Sequence, residues 1–470
     1  MLRGSPSVMW FRRDLRFEDH PALAKAAKQG PVLALFVLDP KLLRPAGPPR
    51  VAFLLRTLRS LDQRLRSMGA SLTVVSGRPE EVVPELATRI GAAEVHITAD
   101  FGPYGSARDL RVAKALGTVP LVATGSPYAV SPPRLLTAAG TPYKVFTPFY
   151  RAWRQHGWPA PAASDAGVVD WMASPGEALP GEPMLPSNMA LPAAGEEAAR
   201  DAWWSFRRAN LRDYAALRDR PDLHATSRLS AYLHFGVLHP RTLLSALGPE
   251  DERFTTELAW REFYASVLWS WPQSARANFD ARMSGLPVEE GPEAEALFAA
   301  WCEGRTGFPI IDAGMRQLEA EAWMHNRVRM LVASFLVKDL HLDWRRGARH
   351  FMHHLVDGDL ASNQHGWQWA AGTGTDASPY FRIFNPVTQS KRFDPKGDYI
   401  RRWIPELREV PDQYVHEPWR SPNQHSYVAP IVDHEVERKR SLAAYDALRG
   451  RSAATTSETS RAVVPLLRRG

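Results

Sequence analysis

Five short, almost wholly apolar runs recur through the first 124 residues, separated by stretches with helical periodicity. The runs are VMWF (8–11), PVLALFVLD (31–39), SLTVVSG (71–77), AEVHIT (93–98) and VPLVAT (119–124). Amphipathic stretches lie between them near 20–28, 51–68, 79–90 and 103–116. A strand with one wet face alternates apolar and polar residues, because successive side chains point to opposite faces. These runs do not alternate, so both faces must be covered. A parallel sheet with helices packed on both sides does this, and the expectation is a five-stranded, Rossmann-like α/β domain over 1–130. Ligands of such sheets bind beyond the carboxyl ends of the strands, here the turns at Asp39–Pro40 and Thr98–Asp100. No G-x-G-x-x-G follows the first run, so dinucleotide binding in the Rossmann manner is not expected.

From 131 to 197 the chain turns Pro-, Ala- and Gly-rich and loses its periodicity, which reads as a connector wrapped on the surface. Helical patterns dominate from 198 to about 450, giving a second, all-α domain. The last twenty residues, RSAATTSETSRAVVPLLRRG, read as a flexible polar tail over 451–470.

A net charge of +7 favours a polyanionic partner, nucleic acid before others. Cys302 is the only cysteine, which excludes disulfides within the chain and Cys-based metal sites and fits a reducing compartment. There is no apolar signal core near the start and no long apolar run, so a cytoplasmic protein without a membrane span is expected. Sixteen tryptophans need more hydrogen-bond partners than a plain core offers, so some should line a cavity.

The densest chemistry lies in DGDLASNQHGWQWAAGTGTDASPYFRIF (357–384), where acids, an amide and two tryptophans crowd together. Buried polar atoms need partners, and a flat polar ring held among aromatics would supply them; a helix capped by Asp359 with tryptophans as plain core is the simpler alternative. TSRLSAYLHFG (226–236) places hydroxyls and Arg228 before a helix, where Thr226 or Ser227 serves as a cap and the free N–H groups suit a phosphate. In ELAWREFY (257–264), Glu257, Trp260, Arg261 and Tyr264 share a helical stripe, either an ion pair beside core aromatics or a pocket wall. In WMHNRVRM (323–330), Trp323, Asn326 and Met330 share a face flanked by Arg327 and Arg329. Asn suits a base edge and arginine a phosphate. A metal reading of His350, His353, His354 and His365 is set aside, because no cysteine or carboxylate accompanies them at ligand spacing. Neither a G-x-S-x-G elbow nor a phosphate-binding G-x-x-x-x-G-K loop is present, so a bound cofactor must carry the chemistry.

Together, WFRRDLR (10–16), TSRLS (226–230), ELAWREFY, WMHNRVRM, DGDLASN (357–363), GWQWAAGTGTDASPYFRIFNP (366–386) and QSKRFDP (389–395) resemble the photolyase/cryptochrome flavoprotein family, within it the class I cyclobutane pyrimidine dimer photolyases of bacteria. The resemblance spans nearly the whole chain. It implies light-driven repair of cyclobutane pyrimidine dimers by electron transfer from excited reduced FAD, the alternative being a cryptochrome-type blue-light receptor without repair. It further implies a monomer acting on double-stranded DNA with the lesion flipped into the pocket, as photolyases are known to do.

Carried over residue by residue, Tyr214, Thr226, Ser227, Arg228, Leu229 and Ser230 would hold the FAD phosphates and ribose. Asp357, Gly358 and Asp359 would meet the flavin and sugar side, and Asn363 would face flavin N5. Plant cryptochromes carry Asp, and animal ones Cys, at that last position. Trp260 and Trp369 would flank the dimer, Glu257 would hydrogen-bond it, and Asn326 would contact it. Arg218, Arg261, Arg327, Arg329 and Gln389 would grip lesion or backbone. Asn326 and Met330 stand where six-four photolyases carry paired histidines. Trp367 and Trp344 match the inner two members of the tryptophan relay that reduces FAD in light. The outer position holds Gly291, so either another aromatic, with Trp301 as the candidate, completes the relay or photoreduction is slow. DFGPYGSARD (100–109) resembles sites for a second, antenna chromophore, 8-hydroxy-5-deazaflavin rather than methenyltetrahydrofolate, with Phe36, Asp39, Arg50, Asp100 and Arg108 around it.

Overall fold

The computed structural model describes residues 4–173, 175–375, 382–422 and 425–461, with side chains described as far as residue 448. All five expected strands form: β1 (Ser7–Phe11), β2 (Val32–Leu38), β3 (Thr73–Ser76), β4 (Glu94–Ile97) and β5 (Leu121–Ala123). They are parallel in the order β3-β2-β1-β4-β5, with Val8 paired to Leu33 on one side and Val95 on the other. Every residue of β1 and β2 is buried, as the unbroken apolar runs require. Met9, Phe11 and Ala34 join the core on one face, and Val8, Trp10, Leu33 and Leu35 the core on the other. Each large side chain so buried contributes about 1.5–3 kcal/mol. Helices Pro21–Ala26, Pro48–Ser67, Pro79–Ile90 and Pro103–Ala115 cover the faces. Each opens on proline, whose fixed φ suits a first helical position and whose missing N–H leaves nothing unpaired there.

The stretch 131–197 is more ordered than its composition suggests. It contains helix Phe146–His156 and a sixth strand, β6 (Trp171–Met172), which pairs parallel with β2. Phe146, Phe149 and Trp153 recur at spacings of three and four, burying one face on helix Glu252–Ser270. Buried Glu262 accepts from Ala129 N, Val130 N and Trp153 Nε1, tying this stretch to the helical half, and burial pushes its carboxyl up. Proline-rich flanks had hidden a short amphipathic signal. At the other end, helix His434–Arg461 runs beyond residue 450, where a flexible tail was expected, while 462–470 lie outside the described residues. Among the described residues, no helix is long and apolar enough to cross a membrane.

Partly buried polar contacts join the two halves. Arg13 donates to Asp359 at 2.7 Å and to His234 O at 3.0 Å, and Arg50 donates to Gly358 O at 3.2 Å. A Cβ on Gly236 would lie 1.9 Å from Arg13 O, so the close approach of the halves depends on that glycine.

Burial holds His325 and His365 neutral, with pKa values lowered from 6.5 to about 4. The unfolded chain therefore binds protons that the fold refuses as pH falls from 6.5 towards 4. Stability present above that window should decline within it, by roughly 3 kcal/mol per histidine at most. Thermal midpoints should drop between pH 6.5 and 5, before ordinary carboxylates titrate; a flat profile there would contradict the burial.

Candidate functional site

Helix Leu360–Ala371 stands at the centre of the helical half, packed against helices Glu252–Ser270, Asn326–Lys338 and Trp344–His354. Its start is set by Asp359, which accepts from Ser362 N at 3.0 Å, and its end by Gly372, left-handed at φ 77°. The capping reading of Asp359 is therefore correct, and it changes the residue's expected role. One carboxylate oxygen caps the helix while the other takes Arg13. Burial alone would raise this acid, but His234 and Arg13 outweigh it and hold it well below the usual carboxylate range. Asp359 is an anchor between the two halves rather than a free ligand group.

Asp357, two residues earlier, is different. Its Oδ2 accepts from Arg329 at 2.9 Å, whereas its buried Oδ1 has no hydrogen-bond partner among the described residues. An orphaned acceptor is costly unless a ligand satisfies it. Asn363, half-buried on the same wall, donates Nδ2 to Ala348 O at 3.1 Å and to Gln364 Oε1 at 2.9 Å. Ala348 O can only accept, so the amide orientation is determined and the Asn363 carbonyl oxygen is what remains for a ligand donor. Trp367, 2% exposed, has its indole Nε1 unpartnered. These donors and acceptors around a partly apolar wall fit the polar edge of a flavin.

Close helix contact positions Trp367. A Cβ on Gly347 would lie 2.1 Å from the Trp367 ring. Alanine normally favours a helix interior over glycine by about 0.5–1 kcal/mol. Gly347→Ala should instead destabilise by about 1–3 kcal/mol, read as a lowered thermal midpoint, because the ring must move. A raised midpoint would show that the ring has room. Trp301 touches Trp367 with centroids 6.0 Å apart, but it is fully buried, and its Nε1 donates to Val332 O. Trp344, one turn before Gly347, donates Nε1 to Asn278 Oδ1 at 2.8 Å.

A second tier of side chains forms a rim. Glu257 pairs with Arg218 and, at 3.5 Å, with Arg253. Arg218 lies 3.7 Å from Asp219, which pairs with Arg327 at 2.9 Å, and Arg327 covers the Phe393 ring at 4.4 Å. Three separate segments thereby share one charged network, and among the described residues Arg218 Nε, Arg327 Nε and His325 Nε2 are buried with no hydrogen-bond partner. Asn326 stands exposed at the start of its helix, behind the His325 cap, with half-buried Met330 one turn on. Trp260 is half-buried, one face stacked on Phe146 at 3.6 Å and 6°. Trp369 and Gln389 are half-buried too. Tyr214 packs edge-on to Phe206 and Phe254 beneath Arg218.

Several expected placements need correction. Arg261 leaves the Glu257 stripe, donating to Pro127 O and Leu233 O and covering Tyr128, because carbonyls at a helix end capture a guanidinium. Arg329 is committed to Met324 O and Asp357. Arg228, left-handed at φ 51°, pairs with Glu321 and covers Trp323 at 4.2 Å instead of pointing at a phosphate. Neither Thr226 nor Ser227 caps helix Ser230–Phe235, whose N-cap is Leu229 with no side-chain bond. Trp323 precedes the helix that carries Asn326 and Met330, so the three do not share a helical face.

At the carboxyl ends of the strands, Asp39 accepts from Lys41 N and Tyr104 OH, and Asp100 from Gly102 N and Arg108. Arg108 covers Trp10 at 5.1 Å. Asp39, Asp100 and Arg108 thus meet around Tyr104. Phe36 is strand core and Arg50 faces Gly358, so neither belongs to this cluster. Sequence reasoning missed Arg13, Phe146, Glu262 and Asn278, whose partners lie far away along the chain.

A family model described as DNA photolyase matches residues 7–165, and one described as the FAD binding domain of DNA photolyase matches 254–447. The deoxyribodipyrimidine photo-lyase of Halobacterium salinarum is 41% identical, over 94% of this chain and 99% of its own length. A bacterial class III photolyase from Agrobacterium tumefaciens superposes with a TM-score of 0.86 at 36% identity, covering 96% of this chain and 99% of its own. An archaeal photolyase from Sulfolobus tokodaii, described with two FAD molecules and a novel light-harvesting cofactor, superposes at 0.83 with 29% identity, covering 94% and 100%.

Proposed function

The chain belongs to the DNA photolyase family, and from that premise we propose that it is a deoxyribodipyrimidine photo-lyase, using FAD and light to reverse cyclobutane pyrimidine dimers in double-stranded DNA. FAD, when bound, supplies the photoexcited electron. The protein's own residues orient and protect. The observation that carries the reading lies at helix Leu360–Ala371 and the turn before it, where Asn363 keeps only a carbonyl oxygen for a ligand and buried Asp357 Oδ1 has no hydrogen-bond partner among the described residues. Both are acceptors, suited to the N–H groups along one edge of a reduced flavin. Thr226 to Ser230 take the phosphate end through backbone N–H groups, Arg228 being engaged elsewhere. At the rim, Glu257 and Arg218 present an anion and a cation to the imide edges of the dimer, Trp260 and Trp369 pack against its rings, and Asn326 reaches it from the opposite side.

A cytoplasmic monomer is part of the same reading. The second chromophore is 8-hydroxy-5-deazaflavin rather than methenyltetrahydrofolate, held by Asp39, Asp100 and Arg108 beyond the strand ends. The light-harvesting cofactor described for the Sulfolobus tokodaii relative supports a second chromophore.

The purified protein should show flavin absorption and remove dimers from an oligonucleotide in blue light but not in the dark. A colourless protein that refuses FAD on reconstitution would sink the proposal. Affinity for dimer-containing DNA should fall with salt at a log–log slope of only about −2 to −4, because many arginines are committed internally and few are left for phosphates. Arg327 pairs with Asp219 at the rim, where a phosphate can take the place of the carboxylate, so Arg327→Ala should lower that slope by about one. Arg261→Ala should leave it unchanged while lowering stability, and the reverse pattern would return Arg261 to the DNA interface.

A further inference from the structure

We infer that a cleft beside Trp344 binds a small phenol-class reductant, which completes the electron relay of this chain; the inference rests on the flavin reading above. The outer relay position is Gly291, the N-cap of helix Pro292–Cys302 at φ 90°, where a side chain would project into open space. Trp301 cannot pass the charge to solvent, since it is 0% exposed. Trp344, 4% exposed, is therefore the last tryptophan before the surface on this path.

Trp344 forms a wall of a cleft of about 190 Å³. A cavity of about 150 Å³ already takes up benzene, so one substituted aromatic ring fits. Leu286, Val288 and Leu342 supply apolar lining, and exposed Ser284 and Val288 form the mouth. Thr373 lines the same space, is 3% exposed, and its Oγ1 has no hydrogen-bond partner among the described residues. Asn278, His341, Asp343 and Arg345 line the same cleft beside these apolar groups, a mixed lining that suits one polar atom on a flat apolar body, which is the chemistry of a phenol.

The step balances. Trp344, having passed one electron inward to Trp367, takes one electron from the phenol. The phenol O–H bond breaks, its proton passes to water at the mouth, and the ligand leaves as a neutral phenoxyl radical. Trp344 returns to its starting state, keeping its Nε1–H bond to Asn278.

p-Cresol is the probe, with FAD-loaded protein. Calorimetry in the dark should show one binding site. In blue light, the initial rate of flavin reduction should saturate with p-cresol concentration. Ala444→Phe, which fills the cleft from helix His434–Arg461, should abolish the saturable phase and the calorimetric signal. A rate rising linearly in the native protein, no heat of binding, or unchanged saturation in Ala444→Phe would each overturn the inference. Chemically reduced Ala444→Phe should still repair dimers; loss of repair in native protein would instead overturn the enzymatic reading. Persisting saturable reduction in Trp367→Phe would overturn the inference by showing that the phenol does not feed this relay.

Discussion

Trp367→Phe should slow photoreduction of oxidised FAD at least about a hundredfold, some 2.7 kcal/mol or more in the barrier, while sparing repair by chemically reduced enzyme. Phenylalanine fills most of the indole volume, so packing against Gly347 and Phe351 survives. What it lacks is an accessible oxidation, and Trp367 touches Trp301 and packs against Gly347 on the helix that Trp344 begins. Photoreduction is read as bleaching of oxidised flavin in blue light with an added reductant, and repair as loss of dimers after dithionite treatment. Unchanged photoreduction would show that electrons enter by another route. Loss of both activities would show that the substitution damages the cofactor site itself, and flavin content separates these outcomes.

Glu257→Ala should lower the repair quantum yield by about tenfold or more, the range expected for losing a charge-assisted hydrogen bond of about 1.5–3 kcal/mol, while FAD stays bound. The structure sharpens this expectation. Glu257 holds Arg218 and lies near Arg253, so alanine would both remove an acceptor at the lesion and release a cation to move. Glu257→Gln separates the effects, because the amide retains an acceptor but loses the ion pair. If Gln repairs as poorly as Ala, the charge and its hold on Arg218 are what matter; if Gln recovers most of the yield, the hydrogen bond to the dimer dominates. A native yield in Glu257→Ala would remove this residue from the mechanism.

Much of the fold was legible because its signals are local. Unbroken apolar runs identified all five main strands within two residues of their observed ends, and the four covering helices fell where periodicity placed them. The miss at Phe146–His156 has a physical cause. Three apolar residues over two turns are a weak signal amid proline-rich flanks, and the helix is justified mainly by what it covers, Trp260 and Glu262. The site was legible as a set of residues, and less so as a set of roles. Asp357 and Asp359 look equivalent in DGD, yet one keeps an orphaned oxygen and the other is consumed as cap and anchor.

The sequence by itself determined the parallel sheet, the helical second half and the identity of the residues around the site, since periodicity and residue chemistry are carried within a few positions of each other. Only the tertiary structure decided which charges face a ligand. A guanidinium on a long flexible stem goes to whichever carbonyl or carboxylate the fold brings near. The partner of Arg13 lies 346 positions away at Asp359, a distance at which spacing along the chain carries no information about contact.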